Sequence, residues 1–108
     1  MLDTYRYTVD FSEVKYHAEI HEVLKRTLDF PDYYGGHLDA LFDCLTDMLC
    51  DISIIEIVGF EQVSKSFINE WNGILKVIKD TKHAYGSKYS DRFFVTLVYE
   101  NGRREEIE

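Results

Sequence analysis

The sequence predicts a small α/β domain built on a three-stranded parallel sheet. Two observations carry that expectation. Three stretches with the period or composition of β-strands lie far apart in the chain, and both intervals between them carry amphipathic helical patterns. Parallel neighbours need crossover connections of about a dozen residues or more, and helices supply them. The first strand is marked by Tyr5, Tyr7, Val9 and Phe11, which alternate with Arg6, Thr8 and Asp10. Ile20, Val23, Leu24 and Leu28 then share one helical face, with Glu19, Glu22, Lys25 and Arg26 outside it. Pro31 cannot continue that helix, and it biases Phe30 toward extended backbone. Gly35 and Gly36 permit the tight turn that follows. Leu38, Leu41, Phe42, Leu45 and Leu49 mark a second helix.

Residues Ile52 to Val58 are apolar and β-branched apart from Ser53 and Glu56, as expected of a strand buried over most of its length, and Gly59 breaks it. A short helix is expected over Phe60 to Lys65. A longer one follows, with Phe67, Trp71, Ile74, Leu75 and Ile78 at helical spacing. Gly73 sits awkwardly inside it, since glycine costs about 1 kcal/mol in a helix interior, and a start at Asn72-Gly73 stays open. Gly86 is expected to end this helix. Phe93 to Tyr99 forms the third strand, and residues 100–108 make a charged C-terminal extension with an Asn101-Gly102 turn signal. No repeat, low-complexity run or linker divides the chain, so residues 1–108 are expected to form a single domain.

Composition narrows the function. The chain has 108 residues, 45% hydrophobic and 15% aromatic, enough for a core without staples. Its net charge of −8, from 20 acidic and 12 basic side chains, repels nucleic acid and anionic membranes and attracts a basic partner. No basic region followed by an apolar run opens the chain, and no apolar stretch has the roughly 18 residues of a membrane span. Cys44 and Cys50 are expected on one helix, about 9 Å apart along its axis and on different faces, too far to bridge. Reduced thiols without a secretion signal point to the cytoplasm.

Signs of chemistry are weak. No G-x-S-x-G elbow and no phosphate-cradling glycine loop occurs. His17 and His21 stand at i,i+4, a spacing that can share a metal, but Ala18 occupies the place of the zincin glutamate and no third ligand is evident. A solvated helix face is the expectation there. His37 with Asp39 and Asp43 offers too few oxygens for a specific hard-cation site. The chain is therefore expected to be no enzyme and to need no metal or cofactor. Cys44 and Trp71 are expected in the core.

The most informative stretch is 30–48. Asp39 and Asp43 project from one helical face at i,i+4, an arrangement that costs about 0.2–0.5 kcal/mol by repulsion. Asp39 falls in the first turn, where the helix dipole favours a negative charge by about 0.3–1 kcal/mol; Asp43 lies a turn beyond that benefit. Tyr33, Tyr34 and Phe42 flank the pair, one tyrosine expected in the core and Phe42 as a partly exposed ring. Aromatic and charged anchors side by side suit a protein-binding hot spot presented to something positive.

The run Pro31-Asp32-Tyr33-Tyr34-Gly35, followed by Leu38-Asp39-Ala40-Leu41-Phe42-Asp43-Cys44-Leu45-Thr46, closely resembles the barstar family, the intracellular inhibitors of the ribonuclease barnase. Weaker likeness runs through Leu24-Lys25, Phe60-Glu61-Gln62, Ser64-Lys65 and Ile74-Leu75-Lys76-Val77 to Asp80. The resemblance implies a barstar-like α/β fold, with a small three-stranded parallel sheet packed against about four helices. It also implies an inhibitor that blocks the active site of a basic barnase-like ribonuclease, in a 1:1 complex, and that is a monomer when free. By position, Asp43 would replace an RNA phosphate among the enzyme's cations, Asp39 would pair with an arginine, and Tyr33 would stack near the catalytic region. Asp80 would add a peripheral ion pair; Gly35 and Thr46 would give backbone and packing contacts. His37, Leu38 and Phe42 complete the expected contact set. This chain departs from the family pattern at Phe42 and Met48, where tryptophans stand, at His37 for asparagine, and at Asp80, one methylene shorter than glutamate. Those departures keep open an alternative, an interaction module of this fold that neutralises a different basic toxin or partner.

Overall fold

The structure is a computed structural model, and it describes residues 2–88 and 91–108. In chain order it comprises β1 (Thr4–Asp10), α1 (His17–Thr27), α2 (Leu38–Asp47) with a 3-10 turn at Met48–Cys50, and β2 (Ile52–Val58). Then come α3 (Glu61–Ser66), α4 (Ile68–Lys82), a short extended piece β3 (Ala84–Ser87), β4 (Phe93–Val98) and β5 (Arg104–Glu106). The sheet order is β1-β2-β4-β5. The first three run parallel, with Tyr7 opposite Ile55 and Ile55 opposite Val95, as the crossover argument requires.

The fourth strand corrects the three-stranded expectation. Residues 104–106 pair antiparallel with β4, Leu97 opposite Glu105, after a turn in which Gly102 adopts φ 86°. Charged sequence hid this strand, because its three residues are exposed and only Ile107 next to them is buried. The extension is pinned at several points: Arg104 pairs with Glu56 at 2.7 Å, the Ile107 N–H donates to the Val95 carbonyl at 2.8 Å, and the Glu100 N–H donates to Glu61 at 2.8 Å.

Alternate residues of β2 and β4 face the core. Ser53, Ile55 and Ile57 are buried beside Phe93, Val95 and Leu97, while their neighbours are half-buried. Against that face pack Ile20 and Leu24 of α1, Leu41 and Leu45 of α2, and Ile74 and Ile78 of α4. β2 is thus buried on one face and half-buried on the other. Trp71 is core, as expected; its ring stacks on Phe60 at 5.1 Å and meets Phe11 edge-on at 6.2 Å.

Three boundaries differ from the sequence expectation, each for a local reason. Helix α4 runs unbroken from Ile68 to Lys82, through Asn72-Gly73. A Cβ at Gly73 would come within 2.5 Å of Leu38 Cδ1, so the missing side chain makes room for α2 to approach α4. The helix also ends before Gly86: the His83 N–H is shared between the Lys79 and Asp80 carbonyls, and the chain turns extended at Ala84. Finally, α2 stops at Asp47 and tightens into a 3-10 turn, which places Cys44 buried on the helix and Cys50 exposed beyond it, both as free thiols. No helix among the described residues is long and apolar enough to cross a membrane.

Candidate partner-binding site

Residues 28–37 form an irregular turn that hands the chain from α1 to α2. Phe30 is drawn in, its N–H donating to the Lys25 carbonyl at 3.0 Å, and the Tyr34 N–H donates to the Pro31 carbonyl at 2.9 Å. The two tyrosines then part company. Tyr34 is buried (8% exposed), its ring 4.9 Å from that of Phe30, whereas Tyr33 is 83% exposed. One core tyrosine and one presented tyrosine was the expectation for this pair.

His37 starts α2 in extended backbone, and its Nδ1 accepts the Ala40 N–H at 3.2 Å. Asparagine and aspartate commonly do this at an N-cap; here the imidazole nitrogen supplies the acceptor. The same ring lies over Gly35, where a Cβ would sit 2.9 Å from His37 Nε2. Gly36 takes φ 69°, a left-handed conformation that glycine adopts without steric cost.

Helix α2 turns Leu41, Cys44 and Leu45 inward and leaves Asp39 and Asp43 exposed. Burial, then the negative charges of Asp47 and Asp43, push the Cys44 thiol's pKa up, which keeps it protonated and unreactive. Leu38, Asp39, Phe42 and Asp43 line an open groove whose other wall is Gly73, Lys76, Val77 and Asp80 of α4. Five of the sequence-nominated residues therefore meet in one place: Leu38, Asp39, Phe42, Asp43 and Asp80. Phe42 is half-buried, as expected of a ring that can make contacts. Tyr33, Gly35 and His37 lie in the turn leading into the helix and outside the groove. Thr46 lies at the other end of α2, its hydroxyl donating to the Asp43 carbonyl at 2.9 Å and lining a separate hollow with Asp47 and Cys50.

Two features of this region were absent from the sequence reading. Lys76 stands in the acidic groove and pairs with Asp80 at 2.8 Å. Its signal was available, because a lysine four residues before an aspartate shares its helical face. The second is a correction. His21 is buried (6% exposed) and lies on no solvated face. Its Nδ1 meets the Tyr34 hydroxyl at 2.5 Å and its Nε2 bonds to Glu70 of α4, which also pairs with the exposed His17 at 3.4 Å. Sequence could not supply Glu70, a partner 49 positions away. Among the described residues, no group of three or more His, Cys, Asp or Glu side chains is placed to hold a metal ion.

Comparison with known proteins agrees with this architecture. The family profile described as "Barstar (barnase inhibitor)" matches residues 5–98. A Bacillus subtilis (strain 168) protein named "Putative ribonuclease inhibitor YrdF" is 39% identical over 64 residues, covering 58% of this chain and 69% of that protein. A match from the first strand through the last parallel strand spans every element that builds the groove. The chain belongs to the barstar family.

Proposed function

We propose that this protein binds and blocks the active site of a basic, barnase-like ribonuclease, with carboxylates on α2 standing in for RNA phosphate. The observation that carries the reading is the groove: Asp39 and Asp43 are exposed on one helix face, with Leu38 and Phe42 as apolar neighbours. Tyr33, the most exposed large apolar side chain in the described residues, stands out from the preceding turn. An enzyme that cleaves RNA holds cations around the scissile phosphate. A carboxylate matches an arginine fork in two parallel hydrogen bonds, and a helix holds that carboxylate where a flexible loop would not. Nothing in a carboxylate can be cleaved by the enzyme it occupies. The partner contacts in this account are Tyr33, Gly35, His37, Leu38, Asp39, Phe42, Asp43, Thr46 and Asp80, in a 1:1 complex that protects the cell making the enzyme.

The test is a titration of this protein into a fluorogenic RNA assay containing a basic guanine-specific ribonuclease. A stoichiometric end point is expected. Absence of inhibition at micromolar protein would reject this target. The alternative, a different basic toxin as target, draws on Phe42 in the place of a tryptophan and on Lys76, which puts a positive charge into an otherwise acidic groove.

Two further outcomes follow from the charge layout. The net charge of −8 should speed encounter with a cationic enzyme, so the association rate should fall steeply with added salt, as screening shortens to about 10 Å at 0.1 M; stopped-flow mixing across a salt series checks this. Asp80 already has an intramolecular partner in Lys76, both of them substantially exposed. Asp80→Ala should therefore weaken the complex by less than about 1 kcal/mol, as measured by calorimetry.

A further inference from the structure

Beneath the exposed turn, His21 bridges three separate pieces of chain. It sits on α1, reaches Tyr34 of the turn through Nδ1, and reaches Glu70 of α4 through Nε2. A carboxylate can only accept, so the Nε2–H donates to Glu70, and in the neutral ring the bare Nδ1 accepts the Tyr34 hydroxyl proton. Burial, followed by the electrostatic influence of neighbouring Cys44 and Glu70, pushes the Tyr34 pKa up, which keeps the hydroxyl as the donor this chain needs. The turn is otherwise held by the Phe30 and Tyr34 backbone bonds, by the buried Phe30 ring and by a long Lys25–Asp32 contact. Asp29 and Gly36 are left-handed at its two ends, with φ 55° and 69°, and few backbone bonds cross it. Gly36 rests on His21, with a Cβ there 3.7 Å from the histidine Cβ.

We propose that His21 is a positioning residue for the partner-binding turn. Held on Glu70, it fastens the Tyr34 hydroxyl and so fixes the direction in which Tyr33 and Gly35 face the partner. The binding consequence rests on the ribonuclease-inhibitor reading; the effect on the turn does not. An apolar residue at position 21 would fill the same space, but a bare hydrophobic contact allows Tyr34 to slide, whereas a hydroxyl bonded to an imidazole that is itself held on Glu70 fixes how deep the ring sits. The Tyr34 N–H closes a tight turn on the Pro31 carbonyl, with Tyr33 exposed at its corner and Tyr34 buried, so fastening Tyr34 fixes the way the turn presents Tyr33.

The experiment compares the free wild-type protein with Tyr34→Phe, Glu70→Leu and Glu70→Gln by amide hydrogen exchange. The Tyr34 and Ala40 N–H groups, bonded to Pro31 and His37, probe the turn; the Ile55 and Ile57 amides in β2 probe the whole fold. Tyr34→Phe keeps the ring and removes only the hydroxyl. It and Glu70→Leu should speed exchange at Tyr34 or its replacement and at Ala40 by about tenfold, the scale of one buried hydrogen bond, with β2 little changed. Glu70→Gln keeps an acceptor for Nε2 and should restore slow exchange. The His21 ring-nitrogen resonances should show protonated Nε2 and bare Nδ1 in the wild type. Unchanged turn exchange in Tyr34→Phe and Glu70→Leu overturns the proposal, as does faster exchange spread equally over turn and sheet. Failure of Glu70→Gln to rescue also overturns it. In the ribonuclease titration, Tyr34→Phe should raise the dissociation rate about tenfold. A wild type that does not inhibit rejects the functional reading alone, and the exchange data still decide the positioning role.

Discussion

Replacing Asp43 by alanine should weaken the complex with a basic ribonuclease by roughly 2–8 kcal/mol, a range for interface hot spots whose upper end was itself set by a barstar complex. The size follows from what truncation leaves behind. The partner's cations would be desolvated in the interface with nothing to neutralise them, and an unpaired buried charge costs far more than the net value of the pair. The free protein should behave in the opposite way. Asp43 is exposed and one helical turn from Asp39, so its removal relieves about 0.2–0.5 kcal/mol of repulsion and inserts a better helix former. Melting temperature should hold or rise while inhibition is lost, and thermal denaturation beside the inhibition assay reads both. A loss of both together would make Asp43 a structural residue.

Gly59→Ala should have the largest effect on stability. Gly59 ends β2 with φ 65°, and a Cβ there would lie 2.6 Å from the Ser12 backbone nitrogen and 2.8 Å from Asp10 Oδ1. Left-handed backbone costs a non-glycine residue about 1–2 kcal/mol, and overpacking against main chain adds about 1–3 kcal/mol. The Ser12 N–H is already tied to Asp10 Oδ1 at 2.9 Å, so the turn after β1 cannot simply retreat. Chemical denaturation should give a loss of about 2–5 kcal/mol. A loss under about 0.5 kcal/mol would mean that the two strand ends do not meet as described.

Much of this molecule is legible in its sequence because period and burial coincide. Val9, Ile55, Ile57, Val95 and Leu97 fall where a strand facing one core must put them, and Leu41 and Leu45 where α2 must. The acidic face was visible for the same reason, since i,i+4 spacing fixes which side chains share a helix face. What stayed hidden depends on contacts between distant residues. Gly73 reads as a helix breaker in sequence, but Leu38 occupies the space its side chain would take. His17 and His21 look equivalent in sequence, yet one is exposed and the other buried: Glu70 of α4 reaches both, and only His21 also meets Tyr34. The strand at 104–106 lacks the apolar alternation of a strand, because pairing to the sheet edge and the burial of Ile107 hold it in place.

The most direct test of phosphate mimicry is the affinity of this protein for a basic barnase-like ribonuclease, measured with and without a saturating 3′-mononucleotide. Occupied phosphate sites should exclude the aspartates. Nucleotide at about 100 times its own dissociation constant should then weaken the complex by about 2.7 kcal/mol, close to a hundredfold in Kd. An unchanged Kd, with nucleotide and inhibitor bound together, would contradict the account.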